Sequence, residues 1–96
     1  MKGYWIILGS AVTDTEAQQE YGRLWGPIAE QYGAKPKVLD PAALVESHTS
    51  TRALAVEFDS YAQAKACYAD PAYAEAKAMA LRAYHREVLI IEGDLG

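Results

Sequence analysis

The chain has a single cysteine, two histidines, no asparagine and no excess of basic side chains among its 96 residues. With Cys67 alone, an internal disulfide is excluded, which suits a reducing cytoplasm; the thiol reads as a small core residue. Nine Lys and Arg against thirteen Asp and Glu leave a formal charge of -4. That balance lacks the basic footprint required by phosphate backbones or anionic membrane surfaces, so neither nucleic acid nor membrane is an expected partner. No apolar run approaches the ~20 residues of a membrane span. The run Tyr4 to Leu8 is too short for a secretory signal and leads at once into a helix-start pattern, so it reads as a first strand. There is no CxxC, no HxxxH, no glycine-rich phosphate loop and no nucleophile elbow, so neither a metal nor a cofactor is expected. What remains is a half-apolar composition, enough for one domain over residues 1–96 with a core of its own.

Tyr4 to Ala11 is dense in aromatic and β-branched residues, as a strand requires, and Thr13 with Glu16 fits a capping box for the helix that follows. Ala17, Tyr21, Leu24, Ile28 and Tyr32 recur at helical spacing, and Gly33 supplies the left-handed residue that ends the helix. Pro27 removes one helical hydrogen bond, which predicts a kink near Gly26-Pro27. Lys35 to Leu39 and Leu44 to Ser47 read as a second strand interrupted at Asp40-Pro41, on an edge where proline is tolerated. His48 to Ser50 is the turn into a third strand, Thr51 to Phe58. Ser60 and Gln63 form a second capping box, with the helix beginning at Tyr61. Asp70-Pro71 then breaks and restarts that helix, because aspartate caps and proline needs no N–H partner at the first position. Val88 to Glu92 is the fourth strand. The order is strand, helix, strand, strand, jointed helix, strand: α+β, the ferredoxin-like βαββαβ arrangement, a four-stranded antiparallel sheet with two helices on one face.

Tyr4-Trp5-Ile6-Ile7-Leu8 and Val88-Leu89-Ile90-Ile91 are apolar on successive residues, so both faces of those strands need cover. The helices cover one face only. A twofold homodimer packed sheet to sheet is the economical cover for the other.

The chain closely resembles the bacterial domain-of-unknown-function family 1330, within the dimeric α+β barrel superfamily. The carriers are Gly3-Tyr4-Trp5-Ile6, Tyr21, Pro27-Ile28, Tyr32-Gly33 and Arg52, then Glu57-Phe58, Ser60-Tyr61, Ala64, Tyr68, Pro71, Tyr73, Ala76-Lys77, Arg82 and Glu92-Gly93. The departure lies at Lys35 to Ser50, where an arginine- and glycine-rich hairpin is replaced by Lys-Pro-Lys and Asp-Pro-Ala-Ala. The resemblance implies a ferredoxin-like protomer, a homodimer and a cleft between helices and sheet. Wider branches of the superfamily include cofactor-free monooxygenases and isomerases, which implies a small, partly apolar or aromatic ligand. The alternative is a non-catalytic ligand-sensing or structural homodimer. An acylphosphatase reading of the same fold fails because its chemistry needs asparagine beside arginine. An RNA-recognition reading fails because strand three is Ala-Leu-Ala-Val-Glu-Phe rather than basic and aromatic.

Candidate chemistry rests on few groups. His85, at the end of the second helix, is either a proton carrier or a capping cation. His48 lies in the turn, where a solvated loop residue is the default. Glu57 is either an inward base of raised pKa or the partner of an arginine. Arg82 and Arg52 suit the holding of a carboxylate or enolate, although Arg82 also fits a snorkelling surface residue. His85, Glu57 and Arg82 are therefore the catalytic candidates, and Trp25, Tyr32, Arg52 and Tyr4 the ligand-binding ones, with Trp25 first for a flat ligand.

Overall fold

The computed structural model describes residues 1–93, apart from the side chains of Val38 and Pro41. Strand β1 is Lys2–Gly9, helix α1 Thr15–Tyr32, strand β2 Lys35–Val38 and strand β3 Arg52–Phe58. Helices α2, Tyr61–Ala69, and α3, Pro71–Ala83, then return the chain to strand β4, Arg86–Gly93. The sheet order is β2-β3-β1-β4 with every neighbouring pair antiparallel, the split βαβ arrangement.

The helix ends follow from local chemistry. Ser60 Oγ accepts from the Gln63 N–H at 3.1 Å and opens α2. Asp70 closes α2 and opens α3, its carboxylate accepting from the Ala72 N–H at 2.8 Å. Gly33 ends α1 at φ 62°, a left-handed conformation that glycine adopts without strain. The cap of α1 departs from expectation by one residue. Asp14 accepts from the Ala17 N–H at 3.0 Å, while Thr13 donates its hydroxyl to the Ala83 carbonyl at 3.2 Å. A carboxylate wins the cap because it is the stronger acceptor, and Thr13 is left to tie the start of α1 to the end of α3. Pro27 lies inside α1 without ending it.

The second strand is shorter than expected. β2 stops at Val38, and a single 3-10 turn over Pro41–Ala43 follows, capped by Asp40 through the Ala42 N–H at 2.8 Å. The stretch Leu44 to Ser47 forms no strand. A locally capped turn with proline at its start competes successfully with an edge ladder that proline could not complete.

Register decides which side chains face the helices. Trp5 pairs with Val56 and Ile90, and Ile7 with Leu54 and Val88, so these share one face of the sheet. Trp5, Ile7, Val56 and Phe58 are buried there with Ile28, Ala64, Cys67, Tyr73 and Ala76 from the helices. The Trp5 indole N–H donates to the Ala64 carbonyl at 2.8 Å, which satisfies the one polar atom of that ring. Burying each of Phe58 and Ile7 contributes on the order of 1.5–3 kcal/mol. The opposite face carries Ile6 and Leu8 from β1, Ala53 and Ala55 from β3, and Leu89 and Ile91 from β4. Among the described residues no α-helix packs on it, and Leu89 is 59% exposed. The Cα trace is a slab measuring 33 × 30 × 16 Å.

Candidate functional site

Gly9, the last residue of β1, pairs with Arg52 on one side and Arg86 on the other, so the two arginines lie level on the helix-covered face. Nothing projects from Gly9 between them, and the Tyr84 ring occupies that space. A Cβ on Gly9 would lie 2.5 Å from Tyr84 Cε2. The Arg52 guanidinium sits 4.5 Å from the centre of the same ring. Its Nε is buried and has no hydrogen-bond partner among the described residues.

Arg86 is half-buried and donates from Nη2 to the Tyr73 hydroxyl at 2.9 Å. Tyr73 is fully buried, and its hydroxyl lies 3.2 Å from that of Tyr21. The Arg86 guanidinium also stands 5.8 Å from the Tyr21 ring centre. Behind these groups is an aromatic wall: Trp25 is stacked on Tyr21 at 6.3 Å and meets Trp5 at 5.3 Å and Tyr73 at 5.8 Å. Burial, then the Tyr73 hydroxyl, pushes the Tyr21 phenol well above its ordinary pKa, with Arg86 opposing. Burial alone would lower the pKa of Arg86, but Tyr73 and then Tyr21 leave it above the usual arginine value. At neutral pH the group is therefore a guanidinium cation and a neutral Tyr21 phenol. Among the described residues the ion pairs are those of Lys2 and Lys37 with Glu57 and of Arg23 with Glu20, so neither Arg52 nor Arg86 meets a carboxylate.

Of the residues expected to act, His85 and Arg52 lie at this end of the sheet. His85 is exposed at the entry to β4 and lines a recess of about 140 Å³ with Thr49, Ser50, Arg86 and Glu87. Its backbone is fastened on both sides, the N–H donating to Ser10 Oγ at 3.0 Å and the carbonyl accepting from the Ser10 N–H at 2.8 Å. Trp25 belongs to the aromatic wall. Tyr32 is used elsewhere: it donates to Asp70 Oδ2 at 2.6 Å, tying α1 to the joint between α2 and α3, and that bond, aided by burial, raises its pKa to about 12.

The other candidates are not brought together. Glu57 pairs with Tyr4 in the β1–β3 register, which sets both on the open face of the sheet, opposite to the arginines. Its carboxylate is bonded by Lys2 at 2.7 Å and approached by Lys37 at 3.5 Å. The Lys2 hydrogen bond holds its pKa below the ordinary carboxylate value despite opposition from burial. The inward base of raised pKa is thus corrected to an ionised carboxylate whose partners are lysines rather than an arginine. Arg82 is exposed near the end of α3 and lines a different recess, about 290 Å³, with Asp14, Glu16, Glu20 and Met79. Among the described residues, no three His, Cys, Asp or Glu side chains cluster as a metal site would need.

Arg86 and its bond to Tyr73 went unseen at the level of sequence, where Tyr21 and Tyr73 read as packing residues. The available signal was the alternation Arg86, Val88, Ile90, which places a charged residue on the same face as two core residues.

The family model described as a domain of unknown function (DUF1330) matches residues 2–94. None of the curated proteins searched is a match. Among solved structures, a protein of unknown function from Rhodopseudomonas palustris is 20% identical, with 99% of this chain and 84% of that one covered and a TM-score of 0.63. A dimeric protein of unknown function and ferredoxin-like fold from Bacteroides fragilis is 15% identical over 96% of each chain, with a TM-score of 0.53. An ethyl tert-butyl ether d family protein from Bacillus halodurans is 13% identical over 98% of this chain and all of that one (100%), with a TM-score of 0.61. Likeness at these identities establishes the ferredoxin-like fold. Among the described residues no helix is long and apolar enough to cross a membrane.

Proposed function

Since the chain belongs to the domain-of-unknown-function family 1330, whose description names no reaction, we propose that it is a homodimer binding a small, partly apolar or aromatic molecule between helices and sheet, at the arginine and tyrosine end. One observation carries this reading: half-buried Arg86 has the Tyr73 phenol oxygen and the Tyr21 ring as its partners and no carboxylate among the described residues. Placing a cation there without a counter-ion is unfavourable for folding alone, and functional sites are where such arrangements are retained. The neighbouring rings of Tyr21 and Tyr84 supply an aromatic lining, and the His85 imidazole lines the same recess as Arg86.

In a catalytic form of this reading the chemistry is cofactor-free proton transfer or oxygenation of an enolisable or aromatic substrate. His85 removes the proton, and Arg86 with Arg52 holds the oxyanion that results. Glu57 takes no part, because Lys2 and Lys37 occupy its carboxylate and it lies on the other face of the sheet. The competing reading, a structural or ligand-sensing homodimer, draws support from the fully buried Trp5, Phe58, Tyr73 and Cys67, which fill the middle of the layer.

The dimer is formed by sheet-to-sheet packing across Ile6, Leu8, Leu89 and Ile91. Its support is that apolar face and the dimeric state named for the Bacteroides fragilis neighbour. Light scattering at micromolar concentration tests it: wild type is expected as a dimer and Leu89→Lys as a monomer, whereas a monomeric wild type refutes the packing. Native mass spectrometry of the purified protein tests the ligand. A small molecule retained by wild type and lost in Arg86→Gln is expected; equal retention by both places the ligand elsewhere.

A further inference from the structure

Resting on the ligand reading above, we infer that the molecule taken at this end carries a negatively charged oxygen group on a flat ring, an aromatic carboxylate or phenolate, and that Arg86 and Arg52 recognise it from the two strands flanking β1. Charge balance is the first argument. Two guanidiniums stand level on the helix-covered face, and neither pairs with a carboxylate among the described residues. Glu87 lines the adjoining recess, but it is exposed and bonded to neither arginine.

Geometry is the second argument. With neighbouring strands about 4.8 Å apart, the two arginine Cα atoms on either side of β1 are separated by roughly 10 Å. Two arginine side chains can close that gap onto one planar anion held beside the Tyr84 ring, which lies over Gly9 between them. Arg52 Nε is a buried donor with no acceptor among the described residues. Buried donors are nearly always satisfied in native proteins, so the missing acceptor points to a bound oxygen. The third argument is the company the arginines keep. Tyr84 lies under Arg52 and Tyr21 beside Arg86, so a flat ligand held by the guanidiniums meets aromatic rings as well as charge. A lone phosphate would use the charges and ignore the rings.

Calorimetric titration with matched probes tests this: benzoate, salicylate and phenylacetate, each against its own amide, with inorganic phosphate as the anion without a ring. Wild type is expected to bind at least one acid about tenfold or more tighter than its amide, the range of a charge-assisted hydrogen bond. Arg86→Gln and Arg52→Gln are each expected to cut that preference to about twofold or less while leaving amide affinity unchanged. Amides binding as tightly as acids would overturn the charge assignment and leave the small-molecule reading standing. Phosphate binding as tightly as the best acid would overturn the aromatic class. No binding by any probe would take down the ligand reading itself. If circular dichroism shows Arg86→Gln unfolded, Arg52→Gln decides alone, since among the described residues its guanidinium makes no hydrogen bond that the change would remove.

Discussion

Alanine placed at Gly3 and at Gly9 sets two kinds of close approach against each other. At Gly3 the added Cβ would lie 2.6 Å from the Ser60 carbonyl oxygen, 2.6 Å from Tyr61 Cα and 2.8 Å from Tyr61 N, all of them backbone. Carbon atoms rest about 3.5–4.0 Å apart, so the first turn of α2 must retreat by roughly 1 Å. The same movement pulls on the bond from Trp5 to the Ala64 carbonyl, now 2.8 Å. Overpacking of this kind destabilises by about 1–3 kcal/mol, and a weakened hydrogen bond adds about 0.5–1.5 kcal/mol. Removing a strand glycine offsets about 0.5–1 kcal/mol of that. The net expectation for Gly3→Ala is a loss of about 1–3 kcal/mol, or roughly 5–20 °C in Tm for a domain of this size. At Gly9 the obstacle is the Tyr84 side chain, which can turn aside, so Gly9→Ala is expected to lose less, about 1 kcal/mol, and to lift the ring away from Arg52. Gly22→Ala is the control: it lies inside α1 with nothing within 4 Å of the added atom, and is expected to gain up to about 1 kcal/mol. Urea titrations at equal protomer concentration measure all three, since the proposed dimerisation would contribute to apparent stability. Gly3→Ala equal to or more stable than Gly22→Ala would refute the proposed contact between strand and helix.

Tyr73→Phe removes the oxygen shared by Arg86 and Tyr21; a loss of about 1–3 kcal/mol in the same urea assay is expected, and an unchanged midpoint would show that the hydroxyl network contributes nothing. The Tyr32 hydrogen bond, followed by that of the Ala72 N–H, lowers the pKa of Asp70. Its contribution is therefore present above the unfolded aspartate value near about 4 and lost as pH falls through the lower folded value. Tyr32 titrates the other way: with its pKa raised to about 12, its contribution is complete below about 10 and lost as pH rises through the folded value. Tyr32→Phe is expected to flatten the pH dependence of Tm at both ends, and parallel profiles for the two proteins would rule the pair out. Cys67 is fully buried with its thiol pushed up to about 12 by burial and then by Asp70; a thiol-reactive dye at pH 8 is expected to label it only in urea, and prompt labelling of native protein would contradict that burial.

Local chemistry was the legible part of this chain. The Ser60 cap, the Asp70-Pro71 joint and the left-handed Gly33 each depend on residues within a few positions, and each lies where the sequence puts it. What failed depended on partners far along the chain. Glu57 has no face until its pairing with Tyr4 is set, and its lysine partners Lys2 and Lys37 lie 55 and 20 positions before it. Arg86 lay before the expected fourth strand, Val88 to Glu92; it opens β4, and register turns it toward Tyr73. Thr13 lost the cap to Asp14 because both fit the pattern and the carboxylate is the better acceptor. Reading a cap needs one turn of chain, whereas reading a site needs the whole sheet.

At 16 Å, the least extent of the Cα trace is about half of either other dimension. Such a plate spends its chain on perimeter, and no rearrangement within one subunit can change that, because there is only one layer of helix to lay on one sheet. In the proposed pair, with sheets about 10 Å apart, the depth rises to about 40 Å and exceeds the width of either copy. Proportion of this kind would make the proposed pair a single mechanical body: the rim where Arg52 and Arg86 stand would be stiffened by a sheet belonging to the neighbour, and a ligand held on one copy would strain a frame that both share.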